Sequence, residues 1–384
     1  MASAGSGGFS CVDDYRQAAK RYLPKTVFDF VDGGSEREIT LRANRGDFEK
    51  IFFNPRTLMD VGKVDLSTRL LGEQISMPLI ISPTGLAGIL HVDGDVAVAR
   101  AAEQAKIPYA LSTTASHSIE TVAAGAGGNK WFQLYFFRDR ELTKGFIERA
   151  KANDYGALVV TVDLQRGGKR EKDIRNGFTV PPRITPGNFL DMATHPRWLL
   201  KMAPHFKKIT MGNIEGIKGA GEGVVALSTF MNEQIDPTVT WDDLEWLRGN
   251  WDRPLLVKGV LNAADARRMV DLGADGIFIS NHGGRQLDGA PSTISVLPEI
   301  ADAVAGDAEI ILDSGIRRGA DVIKALALGA TACGIGKSTY YGLAAAGQAG
   351  VTGVVEMLRR EMDIVMAMTG CRGITDISRD LIRQ

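Results

Sequence analysis

Short apolar runs rich in β-branched residues recur along most of the chain. They read MPLIISP (77–83), YALST (109–113), WFQLYF (131–136), ALVVTVD (157–163), PLLVKG (254–259), GIFISN (276–281), EIILDSG (309–315) and ACGIGK (332–337). Each stays apolar at successive positions instead of alternating, as strands buried on both faces do. Between most of them lie amphipathic stretches of helical spacing: GDVAVARAAEQA, DRELTKGFIERAKAN, NAADARRMVDLGA and GADVIKALALGA. Eight strand–helix units predict a (β/α)8 TIM barrel. An open doubly wound sheet uses the same units, but no switch point is evident, and the barrel is favoured.

Two regions fall outside the repeat. Residues 1–76 precede the first strand and carry a helical pattern at VDDYRQAAKRYL followed by Pro24. Residues 164–240 separate strands four and five, too long a stretch for an ordinary connection. The expectation is one barrel domain over 1–384, with a helical extension over 1–76 and an insertion over 184–232.

Composition narrows the class. The chain has 384 residues, 44% hydrophobic and 24% charged, with a formal net charge of -1. That balance suits a soluble globular protein and gives no global electrostatic case for binding nucleic acid. Three scattered cysteines, Cys11, Cys333 and Cys371, make neither a disulfide framework nor a metal cluster and fit a reducing cytoplasm. The opening MASAGSGGFS lacks the basic start and apolar core of a signal peptide, and no apolar run is long enough to span a bilayer.

In such a barrel, chemistry sits where the strands end. Strand one ends in Ser82, Pro83, Thr84 and Gly85, and strand two in Ser112, Thr113 and Thr114. Strand three carries Gln133 and Tyr135. Strand four carries Thr161 and Asp163, with Arg170 soon after. Strand five delivers Lys258; strand six delivers Ser280, Asn281, His282 and Arg285. Strand seven ends in Asp313, Ser314, Gly315 and Arg317, and strand eight in Gly336 and Lys337. Singly these have bland readings: a snorkelling Lys258, a core Tyr135, a loop His282, an Asp163 that caps a helix. Together they crowd one rim. The last two strand ends, with Gly315, Arg317, Gly336 and Lys337, have the make-up of a phosphate site. A phosphorylated cofactor facing an anionic substrate accounts for the whole set. A Schiff-base barrel built on Lys258, or a non-catalytic phosphate-binding barrel, remains open at this level.

The motifs SNHGGRQLDG, DSGIRRGADVIKALALGA, WFQLY, TVD…R and LVKG occur in order at these strands. From about Val12 onwards the chain resembles the FMN-dependent α-hydroxy acid oxidase and dehydrogenase family. The resemblance is greatest to its mandelate-oxidising members, with quinone-linked L-lactate dehydrogenases next. It implies that His282 is the base, Asp163 its hydrogen-bond partner, and Arg285 and Arg170 the grip on the substrate carboxylate. Tyr135 is implied to bond the substrate and Lys258 to sit by the flavin N1–C2=O edge. Pro83, Thr84, Gly85, Ser112, Gln133, Thr161 and Ser280 are implied FMN contacts, with Thr84, Ser112, Gln133 and Thr161 on the isoalloxazine ring. Asp313, Gly315, Arg317, Gly336 and Lys337 are implied to hold ribityl and phosphate.

Three departures from the family pattern bear on specificity. Phe30 stands in place of a substrate-binding tyrosine, Thr114 in place of a tryptophan, and Lys337 in place of a phosphate arginine. Thr114 and Phe30 favour an aryl or bulky (S)-2-hydroxy acid such as mandelate. Gly85, where the oxidases often carry alanine, favours a dehydrogenase that passes electrons to a quinone over an oxidase that makes hydrogen peroxide.

Within the insertion, residues 189–211 mix Phe189, Leu190, Trp198, Leu199, Leu200, Met202 and Phe206 with Arg197, Lys201, Lys207 and Lys208. The resemblance implies a membrane-attachment segment here, on the inner face of the cytoplasmic membrane; a lid over the site is the other reading. It also implies a homo-oligomer, a tetramer.

Overall fold

The computed structural model describes residues 8–177, 186–221 and 223–383. Eight parallel strands close into a barrel: β1 (Leu79–Ile81), β2 (Tyr109–Ser112), β3 (Lys130–Leu134), β4 (Ala157–Thr161), β5 (Leu255–Val260), β6 (Gly276–Ile279), β7 (Glu309–Leu312) and β8 (Ala332–Ile335). They pair in chain order, and β8 returns to β1. Each falls within or overlaps a predicted run; the runs overshoot because their last residues leave the ladder to build the rim. The four quoted helical stretches form helices at Gly94–Ala105, Arg140–Ala152, Ala263–Asp271 and Gly319–Ala327.

Side chains of a strand point alternately to the two faces. Leu79, Ile81, Leu111, Leu158, Val160, Val257, Ile277, Ile279 and Leu312 face the surrounding helices as part of the larger apolar core. The opposite parity fills the interior. Ile80, Ala110, Trp131, Ala157, Val159, Leu256, Phe278, Ile311 and Ala332 form a separate cluster, completed by Leu70 and Ile75. The last two come from an antiparallel hairpin, Thr68–Leu70 with Glu73–Ile75. Its two-residue turn, Leu71 and Gly72, has positive φ at both positions (51° and 81°), the geometry that suits a tight hairpin. The backbone N–H of Leu71 donates to Glu309 at the start of β7 (2.8 Å). The hairpin is a plug in the floor of the barrel.

Two steps further along seven of the strands, the same inward parity becomes polar: Ser82, Ser112, Gln133, Thr161, Lys258, Ser280 and Asp313; β8 has Gly334 there. The rim is therefore the next layer of the barrel interior, held by the same ladder.

Three helices precede the barrel, α1 (Val12–Tyr22), α2 (Lys25–Asp32) and α3 (Ile39–Glu49). α2 and α3 reach the rim from outside the repeat. Asn44 of α3 exchanges two hydrogen bonds with Asn281 beyond β6 (2.8 and 2.7 Å). Between β4 and β5 lie helices at Glu171–Arg175, Pro186–Ala193, Pro196–Met202, Gly223–Gln234 and Trp241–Asn250. Among the described residues, no helix is long and apolar enough to cross a membrane.

Candidate active site

A cleft of about 570 Å³ opens at the C-terminal ends of the strands. Its lining includes Pro83, Thr84, Gly85, Ser112, Thr114, Tyr135, Arg170, Lys258, His282, Arg285, Asp313, Gly315, Arg317, Gly336 and Lys337, with Phe30 from α2. Gln133, Thr161, Ser280 and Asp163 stand just behind this surface.

The backbone after β6 is shaped for display. His282, Gly283 and Gly284 all have positive φ (60°, 67° and 71°), and only the two glycines adopt it without steric cost. A Cβ at Gly284 would meet the Leu41 backbone of α3 at 2.7 Å. The turn holds by Gly284 N–H to Asn281 Oδ1 (3.0 Å) and Gly283 N–H to Ser314 Oγ (2.9 Å). His282 thereby presents its ring to Asp163, Nδ1 to Oδ1 at 2.9 Å. Burial raises the Asp163 carboxyl, but His282 and then Lys258 outweigh it and hold the group below its ordinary value. The helix-cap reading of Asp163 fails, since the helix that follows begins after Arg170.

Asp163 also fixes the strand beside it. A bulge interrupts β5 between Lys258 and Val260. Gly259 there has φ 102°, and a Cβ on it would sit 2.6 Å from the Asp163 Cβ. The bulge lets the carboxylate of β4 stand against β5 while Lys258 still points inward. Lys258 is 3% exposed, so its tip is not solvated. It donates to Ser280 Oγ (2.7 Å) and lies 3.5 Å from Asp313 Oδ2.

Across the cleft stand two guanidiniums. Arg285 donates to the carbonyls of Phe30 and Gly33 and lies over the Phe30 ring, 4.9 Å from its centroid. Phe30 thus offers a ring face and a carbonyl to the arginine where a tyrosine would offer a hydroxyl to substrate. Burial, then the charge of Arg170, brings Arg285 down to about 10. Tyr135 is buried between Asp163 and the arginines, and burial raises its hydroxyl, keeping it a proton donor.

At the far end, the helix Lys337–Thr369 starts on the cleft with Gly336 as its N-cap, so its first N–H groups and positive dipole end face the space. Arg317 donates to Ile316 O and contacts Ser338 Oγ (3.4 Å). Lys337 lines the cleft but spends its donors on backbone, reaching Asp32 O, Gly33 O and Gly283 O at 3.0, 2.9 and 3.2 Å.

Thr114 and Gly85 are neighbours: a Cβ on Gly85 would meet Thr114 Oγ1 at 2.2 Å. The two positions, read separately from sequence, are one steric unit.

Sequence reasoning missed several lining residues. Leu41, Asn44 and Arg45 come from α3, which carries no motif. Met211, Ser228, Met231, Asn232 and Ile235 come from the insertion and cover one side. Asp173, three residues after Arg170, could have been found from that spacing on a helix.

The insertion differs from the predicted apolar face. Trp198 and Met202 turn inward (4% and 0% exposed), and Trp198 Nε1–H donates to Ile89 O at 3.2 Å. Leu199 is partly buried against the core. Leu190, Leu200 and Phe206 remain exposed. The side chains of Phe189, Lys207 and Lys208 lie outside the described ones.

These features define a barrel site for a phosphorylated cofactor and a small anion. Residues 19–384 match the family model of the FMN-dependent dehydrogenases. The chain is 42% identical over 373 residues to an L-lactate dehydrogenase of Ectopseudomonas mendocina (strain ymp), covering 97% of this chain and 98% of that one. A crystal structure of the monotopic membrane protein (S)-mandelate dehydrogenase superposes with a TM-score of 0.94 at 41% identity, covering 98% of this chain and 99% of the other. A mandelate oxidase bound to (S)-2-phenylpropionate does so with 0.82 at 36% identity, covering 98% of each. The chain belongs to the FMN-dependent 2-hydroxy acid dehydrogenase and oxidase family, and its cofactor is FMN.

The residues present fit that cofactor. Gln133 Nε2 and Thr161 Oγ1 are buried polar atoms with no partner among the described residues. Such atoms are costly unless a ligand satisfies them. Both belong to the inward parity of adjacent strands at rim level, where a flat polar ring would lie.

Proposed function

We propose that the protein oxidises an (S)-2-hydroxy acid with an aryl or bulky side chain, mandelate being the type, to the 2-oxo acid, and passes the electrons to a quinone. The observation that carries the reading is the His282–Asp163 pair facing Arg170, Arg285 and Tyr135 around one cleft. FMN, when bound, would supply the acceptor for the α-hydrogen and the two electrons of the substrate Cα–H bond. The protein supplies the rest. Arg285 and Arg170 hold the carboxylate, a planar anion suited to guanidinium forks. Tyr135 donates to the same end of the substrate. His282 takes the proton from the substrate hydroxyl, and Asp163 stabilises the imidazolium that results. Lys258 places positive charge beside the ring edge where electron density would build. Thr161, Gln133 and Ser112 orient the ring, and Arg317 and the helix starting at Lys337 take the phosphate.

Thr114 and Phe30 line the cleft where the family pattern has a tryptophan and a tyrosine, and the smaller Thr114 side chain supports a bulky substrate side chain. A second reading, lactate, is favoured by the names of the curated relatives. Anaerobic bleaching of the flavin absorbance separates them. Faster bleaching by (S)-mandelate than by L-lactate is expected, and the reverse order would sink the aryl preference. Leu190, Leu200 and Phe206, exposed beside Arg197 and Lys201, support peripheral attachment to the inner face of the cytoplasmic membrane. Co-sedimentation with anionic vesicles, lost in a Leu190→Glu, Leu200→Glu variant, is the expected result. A homo-oligomer, a tetramer by family resemblance, is the assembly to look for by light scattering.

A further inference from the structure

Asp173 has no part in the chemistry above, yet it lines the same cleft at 6% exposure. It lies on the short helix that starts directly after Arg170, and its Oδ2 is 3.5 Å from Arg170 Nε. That distance is an ion-pair contact at the guanidinium's inner nitrogen, which leaves the outer nitrogens for another anion. Burial is the largest influence on the Asp173 carboxyl and raises it, while the charges of Arg285 and then Arg170 pull it down. The carboxylate is therefore an electrostatic neighbour of both guanidiniums.

The helix bearing it is tied to α2 and to the start of α3. Asn176 Nδ2 donates to Asp29 Oδ2 (2.7 Å), and Lys172 pairs with Glu38 at 2.8 Å. These bonds fix the backbone that carries Asp173 against the N-terminal helices. Among the charges acting on Asp173, Arg285, Arg170 and Lys337 are positive and Asp29 is negative, and the net effect with burial is a carboxyl above its ordinary value, so Asp173 is a cleft-lining acidic group that offsets part of the positive charge offered to a substrate carboxylate.

We propose that Asp173 is the specificity residue that sets this end of the cleft for one carboxylate, rejecting 2-hydroxy acids that carry a second one. Two half-buried cations alone would welcome a dianion; Asp173 repels the second carboxylate. The inference rests on the reading that Arg170 and Arg285 hold the substrate carboxylate.

The test uses FMN-loaded enzyme, with propionate and malonate as probes at constant ionic strength. The two differ by a methyl in place of a carboxylate, and binding is read from the shift of flavin absorbance. The unmodified enzyme should favour propionate. In Asp173→Asn the malonate-to-propionate affinity ratio should rise roughly tenfold, the scale of one unit charge a few ångströms away in a partly screened site. Asp173→Glu should keep the ratio near that of the unmodified enzyme. Asp173→Ser is measured in parallel, so that poor folding of one variant does not decide the matter. An unchanged ratio in Asn and Ser variants that keep their flavin overturns the proposal and leaves the arginine assignment standing. If neither acid perturbs the flavin of the unmodified enzyme, the arginine assignment itself falls, and this inference with it.

Discussion

The floor and the rim of the barrel are built by the same strands and the same inward parity, yet they solve opposite problems. On the floor, Ile80, Trp131, Val159, Leu256, Phe278 and Ile311 bury apolar surface against the Leu70–Ile75 hairpin. These apolar side chains need nothing beyond close packing. One layer higher, Ser112, Gln133, Thr161, Lys258, Ser280 and Asp313 are just as enclosed, and each polar atom is a debt against folding until it is satisfied. Lys258 and Ser280 satisfy each other, and one oxygen of Asp163 is matched by His282. Gln133 Nε2, Thr161 Oγ1 and Asp163 Oδ2 are left over. Three unpartnered atoms gathered on one cleft fit a bound polar ligand, which the apolar cluster of the floor does not call for.

Substitutions in the two layers should separate chemistry from stability. The largest effect is expected at His282: His282→Ala should cut flavin reduction by about 10²–10⁴-fold, the usual share of a general base, while the protein stays yellow and its melting temperature barely moves. Stopped-flow absorbance with an anaerobic melt checks both. Ile311→Ala, on the floor, should do the reverse. It should cost about 2–5 kcal/mol in denaturant unfolding and leave the reduction rate of the folded fraction within a few-fold. Equal loss of rate and stability in either variant would break the division.

Thr161→Val sharpens it further. Removing a buried hydroxyl that has no partner should leave the flavin-free protein as stable or up to about 1 kcal/mol more so, yet weaken FMN binding by a comparable amount. Fluorescence titration with FMN gives the second figure. The smallest effect is on the acid limb. The folded-state value of Asp163 is depressed, so its pairing contributes stability that is fully present above its ordinary value of 3.8 and fades as pH falls through the lower folded-state value. Asp163→Asn should flatten the stability profile over that acid window, which unfolding measured from neutral to strongly acid pH would reveal.

The strands and the rim residues were legible because both rest on local signals. Eight apolar runs mark the staves, and a polar residue at the end of each run marks the rim. What the sequence did not disclose depends on distant segments meeting. No periodicity in Ile39–Glu49 announces that Asn44 will bond to Asn281, 237 residues away. The coupling of Gly85 to Thr114 is invisible until β1 and β2 lie side by side. The amphipathic look of 189–211 was legible only in part: Trp198 and Met202 find their apolar surroundings in the protein, against the loop after β1, while Leu190, Leu200 and Phe206 stay exposed. Hydrophobicity alone does not say whether a side chain will meet lipid or its own fold. Lys337 teaches the same lesson for charge: its ammonium serves three carbonyls before any phosphate.

The plugged floor has a consequence for the order of events. With Leu70 and Ile75 closing the barrel from below, among the described residues the axis of the barrel offers no way through, and molecules reach the cleft from the rim side. Acid, keto acid and oxidant then compete for that one side of the barrel. An enzyme so built works by turns, holding its electrons on the flavin while one guest vacates and the next steps up.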